Sequence, residues 1–355
     1  MVFKIDMRNM NSTETEKIYI KEKNYIREMR NQPLNKVCKP DFECDLHCHT
    51  TRSDGNDTPA ELIKIAAECR MKAIAIVDHD INPPETLIND SGPQQPIKEY
   101  ADLYGIKLVL GYEFSCDTFV DDVHILGYEL DWNNELLKNE VKRARLSKTQ
   151  AYKRLCELLT LHGMPVDFNL DILHYIDKNG NFCERKPDEV ERKHIFEVMA
   201  LKGYAKTWHE AKLIVRDNPQ LNVRREKINP IDAIKIIKES RGIAVLAHPY
   251  LIDEDVNSKI FGNISRDEYV ERLIDAGIEG IESMYTYDKT SYKGRLSPLE
   301  IKAAVENKYK DKVRFFTGGS DYHNDAKKGA DNPRRVGEAG ISFNEFKKIF
   351  KNYLF

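Results

Sequence analysis

The sequence predicts an α/β fold built on a mainly parallel sheet, and three observations carry that reading. Short apolar runs recur along the chain, and each gives way to a polar loop. Helical patterns with legible starts and stops separate the runs. Histidines and acidic residues stand directly after the runs, at the strand edge where parallel α/β folds assemble their sites.

Taken in order, the strand–loop–helix pattern begins at Cys44. Ala73 to Val77, Ile106 to Leu110 and Ile243 to Ala247 are apolar runs of strand length, as strands buried on both faces show, and Val313 to Thr317 is the last member. Thr58-Pro59-Ala60-Glu61 and Ser297-Pro298-Leu299-Glu300 read as capping boxes with proline at the first helical position. Thr207 with Glu210, Ser265 with Glu268 and Ser342 with Glu345 have the same spacing, while Gly163, Gly203, Gly242 and Gly277 stand where helices would end.

Residues 133–229 break the alternation. No run there reads as a strand, and Leu136, Val141, Ala144, Ala151, Leu155 and Leu159 suggest one or two helices before Gly163, with another marked by Val190, Ile195, Val198 and Met199. This stretch is expected to be a helical insertion between 41–132 and 230–355, the two parts of the α/β domain. Asn229-Pro230 restarts that domain with a helix ending at Gly242. Residues 1–40 are charged and weakly periodic, and read as a solvated, partly helical extension.

A chain of 355 residues can bury a substantial core. The formal net charge of -3 gives no bulk electrostatic reason to expect duplex nucleic acid as partner. No apolar stretch approaches the roughly 20 residues that span a bilayer. The amino terminus lacks an apolar signal core, and the seven cysteines form no C-x-x-C pair. Reduced thiols in the cytoplasm are therefore expected, without a disulfide framework or a zinc ribbon.

Six of the ten histidines fall in five short clusters. The first runs Asp45-Leu46-His47-Cys48-His49 and on to Ser53-Asp54-Gly55; Asp78-His79-Asp80 follows. Then come Glu113 with His124 behind it, Ala247-His248-Pro249, and Asp321-Tyr322-His323. Two-residue spacing on a strand puts His47 and His49 on one face and points Cys48 away. Imidazoles and carboxylates gathered this way are ligands for zinc, iron or manganese. His162, His174 and His209 lack such neighbours and read as surface or packing residues. Arg192, Lys193 and His194 share one helical turn, readable either as a solvated face or as an anion-binding patch.

Together these motifs resemble the polymerase and histidinol phosphatase (PHP) superfamily of metal-dependent phosphoesterases, over about 41–130 and 230–340. With a helical insertion before His248, the chain is similar to the subgroup that includes nucleoside 3′,5′-bisphosphate phosphatases, in which an Arg-x-His on the insertion contacts phosphate, as Arg192-Lys193-His194 would here. The resemblance implies a distorted (β/α)7 barrel holding three divalent ions, Mn2+, Fe2+ or Zn2+. His47, His49 and Asp321 would hold the first, Glu113 would bridge to a second completed by His124 and His248, and Asp54, His79 and His323 would hold the third. The chain departs from the family in its leader and in Ile81-Asn82-Pro83-Pro84, which opens an enlarged segment through Gln95, where a Thr and a Gly turn are usual.

The implied chemistry is hydrolysis of a small phosphorylated metabolite by a metal-activated hydroxide, with a nucleoside bisphosphate as the expected substrate. Asp78 and Asp80 are candidates to fix an imidazole tautomer, His194 to protonate the leaving alkoxide, and Arg192 to hold a phosphate. Opening of a cyclic sugar phosphate on the same metals is the alternative. Amide hydrolysis and a non-catalytic barrel are the remaining readings, and the complete ligand set argues against the latter.

Overall fold

The computed structural model describes residues 40–87, 95–176 and 180–354, with Glu28. The expected extension over 1–40 therefore lies almost wholly outside the described residues, as does part of the enlarged 82–100 segment. The chain divides into two compact units. One contains the residues up to Ser115, then Phe119–Trp132 and Pro230 onward; the other contains Cys116–Thr118 and Asn133–Asn229.

The first unit is α/β. Its sheet has seven strands: β1 (Cys44–Cys48), β2 (Ala73–Ile76), β3 (Lys107–Ser115), β4 (His124–Tyr128), β5 (Ile243–Leu246), β6 (Gly280–Tyr285) and β7 (Phe315–Gly319), in that spatial order. Two further links nearly close it into a barrel. The Tyr322 N–H donates to the His47 carbonyl at 3.2 Å, and the His49 N–H donates to the Tyr322 carbonyl at 2.9 Å. Gly319 permits this approach, since a Cβ there would stand 2.3 Å from the Cβ of His47.

All pairings are parallel except those of β4, which runs antiparallel to both β3 and β5. β3 is long enough to serve both modes, with Lys107 to Leu110 beside β2 and Gly111 to Ser115 beside β4. The sequence reading missed β4 and β6. His124-Ile125-Leu126-Gly127-Tyr128 is short and carries a glycine, and Gly280 to Tyr285 carries a buried glutamate and serine where an apolar run would be read.

The strands are buried on both faces, and successive side chains join different clusters. Leu46, Ala73, Ala75, Val77, Val109, Leu126, Tyr128 and Val245 form one cluster with Phe346 and Phe350, whereas Ile74, Ile76, Leu108 and Leu110 pack on Leu62, Ile63 and Tyr100. Each large apolar side chain buried this way stabilises the fold by about 1.5–3 kcal/mol. The helices of this unit include α1 (Pro59–Glu68) and α2 (Ile97–Leu103), with Thr58 and Glu61 forming the anticipated capping box on α1. Thr86–Leu87 pairs antiparallel with Gln95–Pro96 within the enlarged segment.

The second unit is mostly helical, with α3 (Glu135–Leu161), α4 (Arg192–Leu201) and α5 (Trp208–Asp217). It also holds a hairpin that the sequence reading did not foresee, His174–Ile176 against Phe182–Glu184. Strands of three residues are too short for an alternation to show. Back in the first unit, α6 (Pro230–Glu239) ends as expected near Gly242, but the positive φ of 58° belongs to Arg241. Gly242 answers a packing need instead, because a Cβ there would meet Leu130 at 2.3 Å.

Candidate metal centre

Each cluster arrives at the same end of the barrel by a different route. His47 projects from β1 and His49 follows it directly; Cys48, between them, packs with Leu62 and Tyr322 on the opposite side. His79 follows β2, His248 follows β5, and Asp321 and His323 follow β7. β4 runs backwards relative to its neighbours, so the same edge is its beginning, and His124 is its first residue. That reversal is why His124 lacks the preceding apolar run that marks the other ligand candidates. Asp80, His248 and Asp321 have positive φ values of 53°, 26° and 51°. Non-glycine residues held there store roughly 1–3 kcal/mol of strain each, and such strain gathers at functional sites.

Glu113 is the hub. Its Oε2 lies 3.2 Å from His47 Nε2, 3.0 Å from His49 Nε2 and 3.2 Å from His79 Nδ1, and its Oε1 lies 3.0 Å from His124 Nδ1 and 3.5 Å from His248 Nε2. Asp321 Oδ1 adds a second carboxylate contact, 3.1 Å from His49 Nε2 and 3.5 Å from His47 Nε2. Beside these, Asp54 Oδ1 stands 2.9 Å from His323 Nε2, and the His49 ring stacks on His79 and His323 with centroids 4.6 and 4.2 Å away.

Three sets of ligand atoms result, each within 4.8 Å of one another: His47, His49 and Glu113; His79, Glu113 and His124; and His49, Asp54, His79 and His323. The structure thus brings all nine expected ligand candidates into one neighbourhood. It also places His79 nearer the Glu113 hub than the motif-based allocation had it.

The fit to divalent cations rests on buried atoms. His47 Nε2, His49 Nε2, His79 Nδ1 and both Glu113 oxygens are sequestered from water and make no hydrogen bond among the described residues. Leaving such groups unsatisfied costs about 1–3 kcal/mol apiece. Imidazole nitrogens and carboxylate oxygens converging without donors between them are what a hard or borderline divalent ion satisfies. Burial and mutual charge act strongly here. Burial would raise Glu113 and Asp321, but the imidazoles around Glu113, and Arg334 beside Asp321, hold both well below the usual carboxylate range. Burial drives His124 down to about 3, whereas Asp321 and Glu113 overcome it at His49 and lift that ring to about 10.

A supporting layer fixes the ligands. Asp45 accepts from Ser320 N (2.9 Å), Ser320 Oγ (2.5 Å) and Gly337 N (2.8 Å), tying β1 to the loop after β7. Burial pushes its carboxyl up to about 6 in spite of these donors. His323 Nδ1 donates to the Asp321 carbonyl at 2.8 Å, which leaves Nε2 to face Asp54. Tyr285 Oη donates to Asp321 Oδ2 at 2.7 Å, and Arg334 pairs with Asp321 and Asp325.

Two expectations are corrected. Among the described residues, the hydrogen bonds found for Asp78 and Asp80 run to a loop and to a backbone N–H rather than to an imidazole. Asp78 accepts from Thr50 N, Thr50 Oγ1 and Ser53 Oγ at 2.8, 2.7 and 2.6 Å, securing the loop that carries Asp54. Asp80 accepts from Ser115 N at 3.1 Å. A carboxylate outside the nine candidates does meet an imidazole: Glu282 on β6, with Oε1 3.1 Å from His47 Nδ1. Sequence reasoning missed it because its strand was missed, as it missed Arg334 in an irregular loop.

In the helical unit, the Arg192 guanidinium donates to the Val223 carbonyl at 2.9 Å, and His194 Nδ1 accepts the Glu191 N–H at 2.9 Å. His194 is therefore the tautomer with Nε2–H. Burial first, then Arg185, Lys193 and Lys148, push its pKa down to about 3. A neutral ring offers its Nε2–H as a hydrogen-bond donor. His162 and His174 are structural, bonded through Nδ1 to the Leu158 and Asn169 carbonyls at 2.8 Å each.

Comparison with known proteins agrees with this geometry. The PHP domain family matches residues 45–220. A phosphoribosyl 1,2-cyclic phosphate 1,2-diphosphodiesterase from Eggerthella lenta is 22% identical over 79% of this chain and 93% of its own length. The 5′-3′ exoribonuclease Rnm of Escherichia coli is 28% identical over 58% of this chain and 64% of its own, and a 3′,5′-nucleoside bisphosphate phosphatase from Chromobacterium violaceum is 26% identical over 58% and 66%. Among solved structures, a putative metal-dependent phosphoesterase from Bifidobacterium adolescentis has the same fold, with a TM-score of 0.64 at 22% identity over 88% of this chain and 97% of that one. The family match stops short of His248, Asp321 and His323, yet folding returns all three to the histidines it includes, and the chain carries the PHP domain of metal-dependent phosphoesterases.

Proposed function

We propose that this chain is a phosphatase acting on a small phosphorylated metabolite, a nucleoside bisphosphate, with three divalent ions of manganese, iron or zinc. His47, His49, Glu113 and Asp321 would hold the first, Glu113, His124 and His248 the second, and Asp54, His79 and His323 the third. The observation that carries the reading is Glu113, whose two oxygens face two different sets of imidazoles. Ions bound there would neutralise phosphoryl charge and supply an activated water at neutral pH.

The chain's own residues would do the rest. Arg192 would hold non-reacting phosphate oxygens, and the neutral His194 would donate through Nε2–H. The half-buried rings of Tyr250 and Tyr292 pack edge-on against the buried Tyr287, with centroids 6.2 and 5.4 Å away, and Tyr287 stands 5.0 Å from Tyr285 beside Asp321. The imidazoles and carboxylates that make up the cluster support nitrogen- and oxygen-preferring ions.

A second reading is the opening of a cyclic sugar phosphate, favoured by the extent of the similarity to the Eggerthella protein. An assay offering a 3′,5′-bisphosphonucleoside, a ribose 1,2-cyclic phosphate and a short 5′-phosphorylated RNA, each with manganese, separates the readings. Phosphate release from the first substrate alone supports the proposal. Preference for the cyclic ester or the RNA would replace it.

A further inference from the structure

Glu282 is a fully buried carboxylate on β6. Its Oε1 and Oε2 lie 3.1 and 3.3 Å from His47 Nδ1, and Oε2 also accepts the backbone N–H of His248 at 3.0 Å. His248 is the residue with φ of 26°, held between the end of β5 and Pro249. One side chain therefore restrains two members of the cluster by different means, an imidazole tautomer on one strand and a strained backbone on another.

We propose that Glu282 is a positioning residue for the metal centre, setting both its affinity and the coupling between its ions. A carboxylate can only accept from an imidazole N–H, so Glu282 places the His47 proton on Nδ1 and leaves the Nε2 lone pair directed at Glu113 and Asp321. With the proton on Nε2 instead, His47 would present a hydrogen to the site and repel a cation. The second contact holds the backbone that carries the His248 ring, whose Nε2 stands 3.2 Å from His124 Nδ1. Glu113 would join two ions from inside the cluster, and Glu282 joins their ligands from outside. Partners of this kind usually change metal affinity by roughly 10–100-fold when removed.

The near-isosteric Glu282→Gln variant removes the charge and turns one of the two oxygens into a donor, so the pair of restraints is weakened. Manganese titration of the chelator-stripped protein should show affinity weakened by about 10–100-fold, with loss of metal from more than one ion per chain after dialysis. Thermal melting of the metal-free protein should change little. Glu282→Asp, which keeps the charge and retracts it, should fall between and serves if the glutamine variant does not fold. Ser283→Ala, a buried change on the same strand where Ser283 instead donates to Glu306, should leave affinity intact. Wild-type affinity in both Glu282 variants would overturn the proposal. So would a drop in metal-free melting temperature with unchanged affinity, which would make Glu282 a core group only. This role rests on His47 being a ligand, and His47→Ala tests that separately: affinity lost there but kept in the Glu282 variants leaves the ligand set standing. Substrate identity does not enter either measurement.

Discussion

Glu113 Oε2 faces His47 Nε2 at 3.2 Å, and neither atom is engaged in a hydrogen bond among the described residues. Two acceptor-capable atoms held this close in a dry site require something positive between them. Glu113→Gln keeps the volume and removes the charge that serves two ligand sets. It should lower metal content below that of any single-histidine variant and abolish most turnover. Elemental analysis beside an initial-rate assay checks this; full occupancy with normal rates would show that the bridge does not exist.

Arg192→Ala should leave metal content unchanged and slow phosphate release from a 3′,5′-bisphosphonucleoside by about 10²-fold, the upper part of what loss of a charged hydrogen bond worth ~1.5–3 kcal/mol produces. A metal-depleted variant, or one with wild-type rates, would remove Arg192 from the substrate-binding role.

His194 provides a pH test. Its folded pKa is depressed from 6.5 to about 3, so between those values the unfolded chain binds the extra proton and stability rises with pH. As pH falls from 7 to 5, this group should cost the fold at most about 1.4 kcal/mol per pH unit below 6.5. In thermal melts of the chelator-stripped proteins, the wild type should therefore lose stability relative to His194→Gln as pH falls from 7 to 5. Parallel curves would mean that the ring titrates normally.

Gly319→Ala should be poorly tolerated, because the new Cβ would sit 2.5 Å from the His47 N atom as well as against its Cβ. Overpacking of this sort typically costs about 1–3 kcal/mol. Here the relief is a displaced His47, so metal affinity should fall along with the melting temperature. A variant with unaltered affinity would show that the β1–β7 contact is softer than the packing suggests.

The sequence was most legible where local chemistry repeats. The capping boxes at Thr58, Ser297 and Ser342 appear as their spacing implies, and four apolar runs became strands. Most ligand candidates were legible because six of them, His47, His49, His79, His248, Asp321 and His323, stand at or just past the end of a strand, at the carboxyl edge of β1, β2, β5 and β7. β4 was hidden because its direction is set by pairing with β3 and β5, a tertiary fact. Glu282 was hidden because a glutamate in a strand is ordinarily solvent-facing, and only its partners 34 and 235 residues away reveal its use. The neutral His194 was hidden because the cations around it come from Lys148 and Arg185 as well as from its own helix.

Asp54 and His323 meet at 2.9 Å although 269 residues separate them. On a ribosome that emits about 5–20 residues per second, the imidazole pair of β1 emerges long before the carboxyl and imidazole groups that follow β7. Until the last strand docks and the seam at Tyr322 forms, His47 and His49 lack the Asp321 carboxylate and the His323 ring that complete their surroundings. A chain ending before β7 would therefore present only part of the ligand set.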